Sequence, residues 1–485
     1  MKQLSVKKSL AWMGGTSLLG QIITWSVTIL VARLLTPEDY GLVALAGLFT
    51  VFANSICLMG ISAAVVQADE VTEYQIRALY GLSFLAGLIM YCIGLAAAPV
   101  MAWIFSEPRL VALIIFQNLI FLVGAPKSLL WSLLARDTRF DIIAKVETGA
   151  RIMTSFATLG MALAGFGVWA LAAQWLLIET AQFLVFAYFR RIRPAFRIRF
   201  TEISDILSFG IKVFLRNVVG QLYNSVDVFI LGKLGAASFL GGYTFAKRLA
   251  NIPFEKIVTI INRVLYPYIS KDKDNPESMR EWTLKVAEFQ AMLLLPFFVM
   301  LFFCADEAVF VLLGTGWGAA VLPLKIFCAA NVFKLAENYA SIALMALGKV
   351  TEQVHYVLIQ LVAIGGTLLG LALWKGVNAS LLVWVTVYPL LSILYCGFLL
   401  HSIGLDIGTL ASRVRSILLA NVLMGCALYG AGMALHAPLW QMLAMKIGIG
   451  GLAYVATLYL FGRDKLVMAL DMLPRRWRRS KAQGS

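Results

Sequence analysis

"GQLYNSVDVFILGKLGAASFLGG" (220–242) lies 200 residues after "GQIITWSVTILVARLLTPEDYGL" (20–42), and this pair of stretches decides how the chain is organised. Laid one on the other, Gly220, Gln221, Leu234 and Gly241 repeat Gly20, Gln21, Leu34 and Gly41, and Lys233 falls on Arg33. Each copy is an apolar segment dotted with polar residues and ending in one basic residue. A short loop and a second apolar segment with glycine near its start follow. The chain therefore reads as an internal duplication.

The composition sets the class. Of 485 residues, 60% are hydrophobic and only 14% charged, and the mean hydropathy is +0.83. A soluble fold has no way to hide that much apolar surface, so the chain reads as a polytopic membrane protein. Its start, "MKQLSVKKS", is basic and leads into an apolar run. That run continues to Ala32 without a small-residue cleavage site, so it reads as a retained first span. The six cysteines form no CxxC and the three histidines are scattered. Neither set has metal-ligand or disulfide-framework spacing, and the expectation is no metal and no cofactor.

Apolar runs of about 20 residues predict fourteen helices: 10–33, 41–66, 78–104, 110–134, 146–164, 167–189, 207–231, 239–264, 283–304, 321–347, 353–374, 377–400, 412–434 and 440–461. The net charge of +15 could suggest nucleic acid, but the basic residues collect in alternate loops. The loops on the side of the N-terminus hold 25 Lys and Arg, while the other side has only Arg33, Arg109, Lys233 and Lys375. Both termini are therefore expected in the cytoplasm, with no nucleic-acid partner. "FRRIRPAFRIRFTEISD" (189–205) is the most basic loop, expected at the anionic inner lipid surface.

The two copies begin at the first and seventh helices, an even number apart, so they cross the membrane in the same direction. That arrangement predicts an all-α fold of two parallel six-helix lobes around a central cleft, with two C-terminal helices appended. The expected boundaries are 1–205 for the first lobe with its basic connector, 206–405 for the second, 406–462 for the appended pair and 463–485 for a basic cytoplasmic tail.

Charges inside the apolar segments mark candidate functional residues. At about 100° per residue, Lys212, Arg216, Gly220, Tyr223, Asn224 and Asp227 form one stripe on the seventh helix. Arg248, Asn251, Glu255, Thr259 and Asn262 share a face of the eighth, where Pro253 is expected to kink the helix. On the fifth helix Glu147 and Arg151 stand at ion-pair spacing, and on the tenth Asn331, Lys334, Asn338 and Ser341 recur at helical spacing. Lys127 and Glu179 read as isolated charges, with Glu179 a packed carboxyl kept neutral by burial. A charge facing hydrocarbon costs about 2.5–3.5 kcal/mol or more, so these stripes are expected to face a wet, cationic cleft. Arg216, Arg248, Lys212, Lys247, Asn224, Arg151 and Lys334 are the candidates for binding an anionic cargo, arginine's paired donors suiting phosphate. Asp227, Glu255 and Glu179 are the candidates for binding a coupling proton or sodium ion.

Several stretches carry a resemblance to a known family. "GGYTFAKRLANIPFEKIVTIINRVLYPYIS" (241–270) resembles the G-x-Y…A…L…P…LFP signature of prokaryotic polysaccharide transporters, members of the multidrug/oligosaccharidyl-lipid/polysaccharide flippase superfamily. "MGISAAVVQADEVTE" (59–73), "LLARDTRFDIIAKVET" (133–148) and "GTGWGAAVLPL" (314–324) resemble segments of its Wzx branch serving colanic-acid-like exopolysaccharides. The resemblance puts Gly241, Gly242, Tyr243, Pro253, Leu265 and Pro267 on structural positions of the signature. It implies a flippase, not an enzyme, carrying undecaprenyl-diphosphate-linked oligosaccharide repeat units across the bacterial inner membrane by alternating access. Its implied partners are that lipid-linked substrate, membrane lipids, and a polysaccharide polymerase with its export machinery.

Two other readings compete. A cation-coupled multidrug exporter of the same superfamily carries cationic cargo, which fits a basic cleft poorly. A membrane glycosyltransferase or polymerase would draw on the D-x-D of "KDKDN" (271–275), but that motif sits in a short charged turn with no nucleotide-sugar fold around it.

Overall fold

The computed structural model describes residues 20–58 (22 excepted), 65, 71–195, 218–258, 276–347, 349–434 and 437–465. Helix stands at each of the fourteen positions expected from hydropathy, and the described residues contain no strand. In chain order the helices are α1 (Ile23–Leu34), α2 (Pro37–Leu58), α3 (Glu73–Phe105), α4 (Arg109–Arg136), α5 (Phe140–Leu163), α6 (Val168–Arg190), α7 (218–234) and α8 (Ala237–Pro253). After them come α9 (Pro276–Phe303), α10 (Val321–Ala346), α11 (Val350–Lys375), α12 (Val387–Ile403), α13 (Ile407–Ala434) and α14 (Leu439–Phe461). A short helix, Ala305–Leu312, lies between α9 and α10. Among the described residues, nine spans are long and apolar enough to cross a bilayer.

Local chemistry sets the helix ends. α2 opens on "TPED", where Thr36 and Asp39 exchange hydrogen bonds (Thr36 N to Asp39 Oδ2, 2.9 Å; Asp39 N to Thr36 Oγ1, 3.3 Å) and Pro37 occupies the first helical position. Thr72 and Gln75 form the equivalent box for α3. The tight turn between α5 and α6 depends on Gly165 and Gly167, which take φ of 81° and 54°, values that disfavour a side chain. At Pro253, where a kink is expected, α8 passes into a π turn over Phe254–Val258. Proline has no N–H to donate, and such a gap in the ladder is a recurrent cause of helix distortion.

The chain divides into two compact units, Met1–Thr244 and Phe245–Ser485, with the border inside α8. In the first, Ala78, Leu79, Leu129, Leu130 and Phe186 pack α3, α4 and α6 together. In the second, Leu294, Leu295 and Phe298 of α9 pack against Ile417, Met424 and Leu428 of α13 and Leu458 of α14. Large apolar side chains also face outward, Val362 being 73% and Leu452 75% exposed, while Gln182, Asp227, Glu288, Gln290 and Gln360 are buried. This inversion of the soluble pattern is what a bilayer solvent requires.

The duplication has a physical counterpart in the first unit. A Cβ on Gly241 would lie 1.6 Å from the carbonyl oxygen of Pro37, and one on Gly41 would lie 1.8 Å from that of Ala237. Positions 37 and 237, like 41 and 241, are equivalents at the 200-residue offset, so the first turns of α2 and α8 cross in a reciprocal backbone contact. Near it, Arg109 donates to Glu107 at 2.8 Å and to Glu38 at 2.6 Å. The hydrogen bond from Arg109 holds the Glu107 carboxyl below its ordinary value.

At the start of the basic loop one arginine has protein partners, while Arg191 and Arg193 are exposed. Arg190 donates to the Leu133 carbonyl at 2.6 Å and pairs with Asp137, tying the end of α6 to α4. Beyond it, Ala195 N donates to the Arg77 carbonyl at 2.9 Å. The Leu133 carbonyl, near the end of α4, accepts from Asp137 N at 3.1 Å as well, so Arg190 adds a second donor there. Residues 196–205 lie outside the described residues.

Candidate functional site

In the first unit, α2, α4, α5 and α6 line an open cavity of about 490 Å³. α2 contributes Thr50 and Asn54, α4 Lys127, α5 Glu147 and Arg151, and α6 Trp175, Glu179 and Gln182. The spacing 175, 179, 182 places three α6 side chains on one face, and 147 with 151 does the same on α5.

Lys127 Nζ lies 2.7 Å from Glu179 Oε2 and donates to Gln182 Oε1 at 3.3 Å. The two charges expected to stand alone are therefore partners. Sequence spacing had no means of showing this, because the residues are 52 positions apart on different helices. Pairing also lets two charges stay inside the bundle at a fraction of their separate desolvation cost. The expected Glu147–Arg151 pair is absent. Glu147 instead accepts a hydrogen bond from Trp131 Nε1 at 3.0 Å, and Arg151 is exposed to the cavity with no ion pair among the described residues. Exchanging Lys127 for methionine should leave Glu179 without its cation, a loss of about 3 kcal/mol in thermal stability, discounted because both side chains are near one-fifth exposed (17% and 23%). Lys127→Met with Glu179→Gln should recover most of it.

The second unit brings part of the α8 stripe against α10. Asn331 Nδ2 donates to the Ala250 carbonyl at 3.0 Å, and Lys334 Nζ donates to Asn251 Oδ1 at 3.0 Å while lying 4.7 Å from the centre of the Phe254 ring. Lys247 Nζ sits 5.6 Å from the Trp384 ring centre, at the outer range of a cation–π contact. Glu337, one turn beyond Lys334, accepts from Tyr388 at 2.7 Å. Arg248 and Glu255 are exposed.

On α7, Asn224 is exposed, but Asp227 is buried and accepts a 2.5 Å hydrogen bond from Tyr243 of α8, itself fully buried. Asp227 thus holds two helices together here instead of facing open water. Lys212 and Arg216, also expected on this stripe, lie outside the described residues, as do Thr259 and Asn262 of the stripe expected on the eighth helix. Sequence reasoning missed Trp175, Gln182, Tyr388 and Gln360. An α6 scan would have paired Gln182 with Glu179 at i, i+3, whereas Tyr388 had no charged neighbour in sequence to mark it.

Helices with apolar outer faces around a charged, hydrogen-bonded interior define a multi-pass integral membrane protein. The solved structure of the lipid II flippase MurJ, in an inward closed conformation, shares this fold with a TM-score of 0.73, covering 94% of this chain and 100% of that one at 14% identity. Residues 30–322 match the family described as polysaccharide biosynthesis protein. The chain belongs to that family. It is similar to the teichuronic acid biosynthesis protein TuaB of Bacillus subtilis (strain 168), 25% identical over 421 residues, which cover 84% of this chain and 85% of TuaB. It is also similar to the lipopolysaccharide biosynthesis protein WzxC of Escherichia coli (strain K12), 24% identical over 76% of this chain and 78% of WzxC.

Proposed function

We propose that the protein is a flippase that carries undecaprenyl-diphosphate-linked oligosaccharide repeat units across the bacterial inner membrane for exopolysaccharide synthesis. The observation that carries this reading is the charged cavity in the first unit, where Arg151 meets open space inside a chain of the polysaccharide biosynthesis family. The fold shared with a lipid II flippase supports it. A glycan and a diphosphate cannot enter hydrocarbon without losing their water, so a carrier must supply replacement donors along the way. Arg151, Arg248 and Lys334, with Arg216, Lys212, Lys247 and Asn224, are that donor set, while the isoprenoid tail stays in lipid. Alternating access moves the headgroup without any bond being made or broken, so the protein is a transporter and not an enzyme.

Both termini face the cytoplasm, in keeping with 25 basic residues on that side and four on the other. A proton or sodium ion at Asp227, Glu255 or Glu179 biases the cycle, and no cofactor takes part. The polymerase and export machinery receive the flipped substrate.

The test is complementation of a flippase-deficient host with a visible capsule. Arg151→Ala and Arg248→Ala should each lower polymer output about tenfold or more, the scale of one lost charge-assisted hydrogen bond, with normal membrane insertion. Arg151→Lys should keep part of the activity. Unchanged polymer in both alanine variants would exclude these residues from the headgroup path.

A further inference from the structure

A carboxyl in the second unit has a role that the coupling candidates above leave out. Glu337 stands near the middle of α10, three residues after Lys334, yet forms no ion pair with it, because Lys334 Nζ turns to Asn251 and the Phe254 ring. Glu337 Oε2 accepts instead from Tyr388 OH at 2.7 Å and Gln360 Nε2 at 3.4 Å. Gln360, on α11, is fully buried. Its Nε2 also donates to Tyr356 OH at 2.9 Å, and its Oε1 is buried with no hydrogen-bond partner among the described residues.

An orphaned amide oxygen beside a carboxyl is costly unless another state uses it. As drawn, two donors face Glu337, which suits a carboxylate. A protonated carboxyl needs an acceptor for its O–H. Turning the Gln360 amide about its last torsion presents Oε1 to Glu337, and that torsion is broad and nearly two-fold. Amide oxygen and nitrogen have almost the same size, so the exchange requires no repacking. The same shell therefore satisfies Glu337 with and without its proton.

The titratable groups around it set the consequence. They are Lys334 on the same helix, Tyr356 of α11, and Tyr388 and Tyr395 of α12, while Lys247 of α8 and Glu255 of the π turn after it act on Lys334. Tyr356 and Tyr395 stack at 3.8 Å between ring centres, closing the apolar side of the network. Proton uptake at Glu337 removes the negative charge nearest Lys334 and leaves that ammonium less compensated.

We propose that Glu337 is the proton-binding group of the second unit, and that its protonation, acting through Lys334, raises the affinity for an anionic diphosphate headgroup. The headgroup part rests on the flippase reading, whereas the proton site does not. By linkage, binding the diphosphate draws a proton onto Glu337 to the same extent.

The full-length protein in lipid nanodiscs supports both measurements. In ligand-free samples, difference infrared spectra across a pH titration should show the carbonyl stretch of one protonated carboxyl that Glu337→Gln abolishes. Identical titrations in the two proteins overturn the proposal. Undecaprenyl diphosphate, used as the probe, should bind about tenfold tighter at acid than at alkaline pH to the wild type. Glu337→Gln should hold the tighter affinity at every pH, and a variant that keeps the wild-type pH dependence overturns the coupling. A probe that binds at no pH, with the infrared signal still lost in the variant, leaves the proton site standing and refutes the flippase reading. If Glu337→Gln does not fold, Tyr388→Phe serves: it removes a donor to the charged form, so the infrared transition should move to higher pH. An unmoved transition overturns the proposal.

Discussion

Replacing Gly241 with alanine should remove nearly all folded protein from the membrane, and Gly41→Ala should do the same. At each site the new methyl group would meet a backbone carbonyl, at 1.6 Å from Pro37 and 1.8 Å from Ala237. Such distances are far inside contact, and a carbonyl within a helix cannot rotate away as a side chain would. The first turns of α2 and α8 would have to separate, opening a contact that the two equivalent segments make reciprocally. Overpacking usually costs about 1–3 kcal/mol and sometimes more; these two positions belong at or above the upper end. The readout is the yield of monodisperse protein in detergent and its thermal midpoint. Gly366→Ala on α11 is the control, since no atom of the described residues lies within 4 Å of the added methyl. It should be neutral or slightly stabilising, as alanine is the better helix former. A Gly241→Ala protein that melts like the control would show that the two helices do not touch this closely.

The second large effect is expected at Lys446, which lies in α14 where the sequence offers only apolar neighbours. Its ammonium sits 2.5 Å from Glu307 Oε1 and donates to the Phe303 carbonyl at 3.1 Å, and both side chains of the pair are less than a tenth exposed. Lys446→Ala should cost about 3–5 kcal/mol, because Glu307 is then a buried charge without its partner. Lys446→Met with Glu307→Met should restore most of that stability, because a buried pair exchanged for apolar residues of similar size is often neutral. Equal destabilisation in the single and double variants would show that packing volume, not charge, is what matters there. A 2.7 Å hydrogen bond from Tyr454 to the Met292 carbonyl fastens the rest of α14, and a second buried pair, Lys465 with Glu288 of α9, fastens the residues that follow it. The last helix and the residues after it are thus fixed along α9 by polar contacts at three levels.

Much of this architecture was legible in the amino-acid order. Runs of apolar residues place all fourteen helices, since a bilayer demands a minimum apolar length and leaves few alternatives. The 200-residue duplication points at Gly41 and Gly241, and a close backbone crossing is found there. Helical periodicity puts Asn251 and Lys334 on their correct faces, and the two do meet. Periodicity failed where partners come from different helices. It set Glu147 against Arg151, yet Trp131 reaches the carboxylate first. It also left Lys127 and Glu179 alone when they face each other across the cavity.

By itself, then, the sequence determined the solvent in which the chain folds, the number of spans, the duplication and the identity of the charges that hydrocarbon must not touch. Tertiary structure alone decided which of those charges neutralise one another, which stay open to a cavity, and which, like Asp227 beneath Tyr243, serve as helix-to-helix bonds. The reason lies in range. Spacing along a helix fixes direction for neighbours a turn or two away, whereas an ion pair between helices depends on how their axes cross, and that is set by the packing of the whole bundle.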